Sequence, residues 1–592
     1  MTTCAGGGTH MTKRKEPTDR RNSQEPDAAG MLPTDASDPV PQPVTRRTFL
    51  GYVGAGAAMT AAGGSLSACG DNQITSQTAT PTPSPTVSPT PTVAEARQQA
   101  ARATRVEAAE MAYARGVEPH PNNGDEDRYP SHFANFSKAL PHDELGVVEP
   151  AAYEAYLHAL STGRPEDFEN IPLGGKAKLA NPQAGLAFDL EGPDSHCMAM
   201  PPAPRFDSAE QAGELVELYW MALARDVHFS DYATDATIAA ACDDLSALTD
   251  FTGPKQSGSV TPATIFRGLT PGDLAGPPVS QFLLRDFTYG SLIVLHRQKT
   301  VVPNVDYLTG FTDWLSSQNG TPPPSGPSFD VIPRYIRNLR DLAAYVHLDT
   351  PSEAFMNACI MLLGQGVPVK DGNPYKHSAT QGGFTTFGPP HIQALVGDGT
   401  IRALKAVWFQ KWFVHRRLRP EEYAGRVHVH VNDETSYPVH QDVLNSVALQ
   451  RVQEQYGSAL LPQAYPEGCP THPSYGAGHN AIAGACITLL KAWFVEETKM
   501  TNPVVASADG TRLDPYTGSD ADSLTVGGEL NKLAGNMAAG RDAAGIHWRS
   551  DYWESILLGE RVALGLLEEQ KLTFNEPSTF TVTKFDGTVV TI

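Results

Sequence analysis

Apolar residues recur along this chain with helical spacing far more often than with strand spacing. Ser208 and early acids open a stretch carrying Leu215, Val216, Leu218, Tyr219, Trp220, Met221 and Leu223, which predicts an amphipathic helix over 208–226. Further helices are predicted over 331–347 and 351–364, the second largely apolar and therefore core. Residues 366–393 are rich in Gly and Pro and read as loop. A long helix is predicted over 400–419, with Ile401, Leu404, Val407, Trp408, Phe409, Trp412 and Phe413 apolar. Pro420 disfavours helical backbone at the residue before it, so that helix should end near Arg419. The run after His479, with small residues at Ala481, Ala483, Gly484 and Ala485, predicts a buried, closely packed helix. Helices over 527–540 and 550–570 follow. Alternation over 579–583 and 588–592 around Asp586-Gly587 predicts a β-hairpin. The expected fold is mainly α: packed helical bundles of four-helix-bundle type with a small C-terminal β-hairpin.

Before about residue 94 the pattern changes. Residues 1–45 are polar and poor in aromatics and are expected to be disordered. Residues 46–69 read as a twin-arginine lipoprotein-type signal: Arg46-Arg47-Thr48-Phe49-Leu50, a weakly apolar run too short to span a bilayer, then Leu66-Ser67-Ala68-Cys69, which resembles a lipobox. The segment ahead of the pair is long for a signal, which makes Met31 an alternative start. Residues 70–93, with Thr80-Pro81-Thr82-Pro83-Ser84-Pro85, read as an extended Thr/Pro-rich linker. The expected plan is export to the cell envelope or extracellular face, anchored through lipid on Cys69, with a catalytic domain over 94–592.

Composition narrows the function. The net charge of −21 argues against nucleic acid and against a polybasic membrane contact. The seven cysteines form no CxxC pair and no zinc-type cluster, so those of the domain read as mostly free, buried thiols.

Three segments carry chemistry. Thr471-His472-Pro473-Ser474-Tyr475-Gly476-Ala477-Gly478-His479 leads into the buried helix, whose open N–H groups make an anion site beside His479, a proton exchanger near neutral pH. Lys411, His415 and Arg419, at i, i+4 and i+8 of the predicted 400–419 helix, share one stripe among aromatics and suggest cations gathered around a buried oxyanion. The plainer alternative is a surface basic stripe extended by Arg416 and Arg417. In Gly540-Arg541-Asp542-Ala543-Ala544-Gly545-Ile546-His547, with Asp551 four residues on, the carboxylate is placed to hold one imidazole nitrogen of His547.

Together, Lys411-x7-Arg419-Pro420, His472-Pro473-Ser474-Tyr475-x-x-Gly478-His479 and Arg541-x5-His547-x3-Asp551 resemble the vanadium-dependent haloperoxidases, the algal-type bromoperoxidases more than the fungal-type chloroperoxidases. Tyr219–Val227, Gly383–Gly388 and Lys584–Gly587 are similar too, so the resemblance spans roughly 110–592. It implies a vanadate cofactor with His547 on the vanadium. Lys411, Arg419, Arg541 and the Gly478 N–H would serve its oxygens. His479 would be the acid/base, His472 a pocket histidine near the halide, and Trp408 an aromatic pocket residue. The implied substrates are hydrogen peroxide, a halide and a small organic acceptor, and the family implies a homo-oligomer. One departure stands out: Ala477 occupies a position where the family usually has serine, whose hydrogen bond to a charged oxygen is worth about 1.5–3 kcal/mol. A structural calcium at Asp371-Gly372-Asn373 is a further candidate, with a plain turn the simpler reading.

Two other classes compete. A related acid phosphatase would use His547 as nucleophile and His479 as leaving-group acid, and Ala477 slightly favours it. His472 and the eight-residue Lys–Arg spacing count against it. A non-catalytic oxyanion-binding lipoprotein would be built from two α/β lobes, which the helical pattern opposes.

Overall fold

The structure, a computed structural model, describes residues 92–592. The expectations for 1–45, for the signal at 46–69 and for nearly all of the 70–93 linker lie outside the described residues. The helices include α1 (Val93–Arg115), α2 (Pro150–Thr162), α3 (Ala209–Leu223), α4 (Leu339–Leu348), α5 (Glu353–Gly364), α6 (Pro389–Phe409), α7 (Pro420–Val431), α8 (Gly478–Trp493), α9 (Val526–Ala543) and α10 (Arg549–Lys571). Strand is confined, among the described residues, to three antiparallel hairpins: β1–β2 (Phe287–Tyr289, Leu292–Val294), β3–β4 (Val504–Ala506, Leu513–Pro515) and β5–β6 (Thr581–Thr583, Val589–Thr591). The last is the expected C-terminal hairpin, with Thr581 opposite Thr591 and Thr583 opposite Val589. The first two were not legible as strands.

α8 is the axis of the bundle. From Asn480 to Trp493 every residue is buried, and the helix packs against α6, α9 and α10. Ile482, Ile487 and Leu490 are fully enclosed, each contributing about 1.5–3 kcal/mol of burial. The small residues foreseen here set the helix separation. A Cβ on Gly484 would overlap the Ile556 carbonyl of α10, and one on Gly559 would overlap the Ala481 carbonyl of α8. The two backbones therefore touch, and the first turn of α10 is brought level with the first turn of α8.

Three boundaries differ from expectation. The 331–347 helix is helical only from Leu339. Arg334 instead exchanges main-chain hydrogen bonds with Gln298, and the Asn338 side chain caps α4 on the Asp341 N–H at 2.9 Å. α6 starts at Pro389, inside the expected loop, because Pro389 and Pro390 occupy first-turn positions where no N–H is needed. α6 passes into a π-helical turn over Gln410–His415 and stops at Arg416, whose φ of +43° is left-handed. The expected end at Arg419 is thus corrected. Pro420 begins α7 and forces Arg419 into the extended region, φ −81° and ψ 157°, so Arg419 cannot be helical. Of the five described cysteines, Cys242, Cys359, Cys469 and Cys486 are buried, Cys197 is partly so, and all five are free thiols.

Candidate active site

Lys411, His415 and Arg419 do not form one stripe. Lys411 comes from the π-turn and Arg419 from the extended link into α7. His415 turns away: its ring meets Tyr475 edge-on at 4.7 Å, neither ring nitrogen has a partner, and burial holds it neutral with a pKa pushed down to about 3. Arg416 and Arg417 are not a surface stripe either. Arg416 pairs with Glu126, and Arg417 is buried against Glu214 at 2.7 Å and Asp551 at 3.0 Å.

The remaining residues converge. Arg419 is fully buried and donates from Nε to the His472 carbonyl (2.8 Å), from Nη1 to the Ile546 carbonyl (2.7 Å), and onward to both histidines. Its Nη1 lies 3.0 Å from Nε2 of His547, and its Nη2 lies 2.8 Å from Nδ1 of His472. Guanidinium has no acceptor, so both imidazole nitrogens must accept. The proton of His547 is therefore on Nδ1, which lies 2.9 Å from Oδ2 of Asp551. The Lys411 ammonium donates to the carbonyls of Pro473 (2.9 Å) and Ser474 (3.0 Å) and keeps one N–H. Arg541, on α9, donates to the Val346 carbonyl at 2.8 Å, while its Nε is buried without a partner. His479, in the first turn of α8, places Nε2 3.0 Å from Oδ1 of Asp349, at the end of α4.

The electrostatics show how close these groups are. Burial first, and then Arg419, Lys411, Arg541 and His479 in that order, hold His547 well below the ordinary histidine range. Burial and then Arg419 hold Lys411 well below the lysine range, against the pull of Asp551. Arg419 itself is pushed down to about 10, mainly by burial. Burial, Lys411 and Arg419 depress His472, and burial and Arg541 depress His479, with Asp349 opposing. Cations crowded like this in a dry interior repel one another unless an anion sits among them.

That crowding meets a helix start. Ala477 is the N-cap of α8 and offers no side-chain cap; its own N–H donates to Ser555 Oγ at 2.8 Å. The first closed turn runs from the Ala481 N–H to the Ala477 carbonyl, so the N–H groups of Gly478, His479 and Asn480 are open to an oxyanion. A Cβ on Gly478 would press the Trp408 ring at 3.2 Å. Trp408 lies 4.9 Å from the His472 ring, centroid to centroid, with the Lys411 ammonium 5.6 Å from its own centroid. A tetrahedral oxyanion fits this set of donors: three cations, open amides and one unprotonated imidazole nitrogen, which here accepts from Arg419.

Asp349 was missed in the sequence, where it lies between two predicted helices with no periodic signal. So was the support of Asp551, which accepts from Ser474 Oγ, from the Trp548 N–H (3.1 Å) and from Arg417. Asp371, the calcium candidate, is paired with Lys376 at 2.7 Å, and no cluster of three His, Cys, Asp or Glu side chains able to hold a metal ion occurs among the described residues.

Residues 392–576, which include every residue of the constellation outside α4, match a family model described as the VCPO second helical-bundle domain. The vanadium-dependent bromoperoxidase of Corallina officinalis is 36% identical, over 84% of this chain and 99% of its own length. This chain belongs to the vanadium-dependent haloperoxidases. The vanadium-dependent bromoperoxidase of Ascophyllum nodosum is likewise 36% identical, over 79% of this chain and 87% of its own. The homohexameric structure of the second vanadate-dependent bromoperoxidase of Ascophyllum nodosum superposes with a TM-score of 0.81 at 31% identity, covering 87% of this chain and 94% of that one. The mainly helical haloperoxidase fold expected from the sequence is thus the fold observed.

Proposed function

We propose that this haloperoxidase uses bound vanadate and hydrogen peroxide to oxidise bromide or iodide, and that the hypohalous product halogenates small organic acceptors. For bromide the balance is Br⁻ + H₂O₂ + H⁺ → HOBr + H₂O, with two electrons leaving the halide for the peroxide bond. The observation that carries the reading is the buried meeting of Lys411, Arg419 and Arg541 around a His547 whose Nε2 is kept unprotonated by Asp551 on Nδ1 and here accepts from Arg419.

His547 Nε2 would be the coordinating atom. Lys411, Arg419, Arg541 and the Gly478 N–H would hold the oxygens. Vanadate, when bound, supplies a Lewis acid that need not change oxidation state. His479 takes the proton of the entering peroxide on Nδ1, because Asp349 already holds Nε2. The remaining N–H of Lys411 is free to polarise the reacting oxygen. His472, tilted against Trp408 and tethered by Arg419, would border the halide. Ala477 supplies no hydroxyl, so oxyanion retention rests on the cations and open amides.

The phosphatase alternative is not favoured, since the relatives are bromoperoxidases over most of the chain. The homohexameric relative supports a homo-oligomer. Export and lipid anchoring at Cys69 remain part of the proposal on the strength of residues 46–69 alone. The decisive assay gives purified protein vanadate, peroxide and bromide with a phenol dye. Halogenation is expected; phosphatase activity abolished by vanadate, without halogenation, would transfer the chain to the alternative.

A further inference from the structure

Helix α1 departs from the packing of every other long helix described here. None of its 23 residues is buried; Val106 is 47% exposed and Tyr113 89%. Its side-chain hydrogen bonds to other elements are those of Arg115 alone, to Glu568 (2.7 Å) and Glu569 (3.1 Å) at its C-terminal end. Its start is well made: Thr92 accepts from the Glu95 N–H at 3.2 Å, and the Glu95 carboxylate accepts from the Thr92 N–H at 2.7 Å. Helices in water draw most of their stability from a buried face. A long, capped helix that buries nothing calls for a partner.

The sequence of α1 says which partner. At about 100° per residue, Gln99, Arg102, Ala103, Val106, Ala109, Glu110 and Tyr113 all lie within about 60° of Val106. Within four residues of Val106 this face is antisymmetric in charge, with a small residue on either side. Arg102 stands four residues before it and Glu110 four after; Ala103 and Ala109 stand three before and three after. Two such helices laid antiparallel, with the two-fold axis at Val106, set Ala103 level with the partner's Ala109. They also set Arg102 level with the partner's Glu110, once at each end of the seam. At an interaxial distance of about 8–10 Å the facing Cβ atoms of Arg102 and the partner's Glu110 come within ~6 Å, inside ion-pair reach. A parallel pairing would instead set arginine beside arginine and glutamate beside glutamate.

We infer that α1 is a self-pairing arm: it docks antiparallel on α1 of a second copy of this chain, with Val106 at the two-fold and two Arg102–Glu110 pairs fixing the register. This rests on the homo-oligomer reading above and assigns it a surface.

The test is sedimentation velocity of the full chain over a dilution series, for wild type, Arg102→Glu, Glu110→Arg and the double swap. Each single substitution turns two attractions into two repulsions and is expected to raise the dissociating concentration about tenfold. The double swap restores complementarity and should return wild-type behaviour. Bromination per chain should be unchanged throughout, since neither residue touches the buried site. A wild type that assembles while the single variants assemble equally well overturns the arm and leaves the oligomer standing. A double swap as weak as the single variants also overturns it. A wild type that is monomeric at every concentration removes both readings.

Discussion

The Asp551 carboxylate lies 2.9 Å from Nδ1 of His547, one helical turn away at the start of α10. It thereby decides which imidazole nitrogen carries the proton and which presents a lone pair. Arg419, 3.0 Å from Nε2, occupies that lone pair here. Asp551→Asn keeps the shape but weakens the acceptor and the basicity it confers, and outer-sphere partners of this kind are worth about 10–100-fold in metal affinity. Vanadate titration followed by metal analysis should show that loss; an unaltered affinity would mean Asp551 only caps the helix.

His479 and His547 are expected to fail differently. His479→Ala should keep most of the bound vanadium and lose turnover. Asp349→Asn is the finer probe. Asp349 raises the proton affinity of His479 against burial and Arg541, so removing its charge lowers that affinity further. Neutral His479 is the working base, and the acid limb of the pH–rate profile should move to lower pH. A limb that stays in place assigns that titration to another group.

Ala477→Ser should restore one hydroxyl at the N-cap of α8. Dissociation of vanadate, read by activity remaining after dilution, should slow about tenfold or more. An unchanged rate would show that this side chain does not reach the anion.

Acid should unfold the protein through histidines outside the oxyanion set as well. His415 and His142 are each pushed down to about 3 in the fold, chiefly by burial, against about 6.5 in the unfolded chain. Between these values the unfolded chain binds protons the folded one refuses. Stability is therefore full above about 6.5 and falls as pH drops, by up to ~1.4 kcal/mol per pH unit for each group. Calorimetry of His415→Phe should show a shallower loss between pH 6.5 and 4; an identical slope would place the proton uptake elsewhere.

Much of this site was written plainly in the chain. The small residues before and within α8, the Gly478-His479 helix start and the four-residue step from His547 to Asp551 are local signals, and local rules read them correctly. The Lys411–Arg419 relation was read for the wrong reason. Both residues reach the buried cluster around His472 and His547, but by a left-handed break at Arg416 and an extended Arg419, not by helical periodicity. α7 escaped notice because its buried face is polar: Glu421 pairs with Lys138 at 2.7 Å, and Glu422 accepts the Ser137 and Lys138 N–H groups. Hydropathy cannot find a buried face that is satisfied by ion pairs. Asp349 and Arg417 depend on contacts across more than a hundred residues, which no spacing rule records.

Vanadium is expected on His547, and halogenation is expected to depend on it. The direct measurement is vanadium per chain after loading and desalting, coupled to bromination of a phenol dye, for wild type and His547→Ala. One vanadium per chain with rapid bromination in the wild type, and neither in the variant, is the expected result. A variant that retains both vanadium and bromination would mean that His547 does not hold the metal.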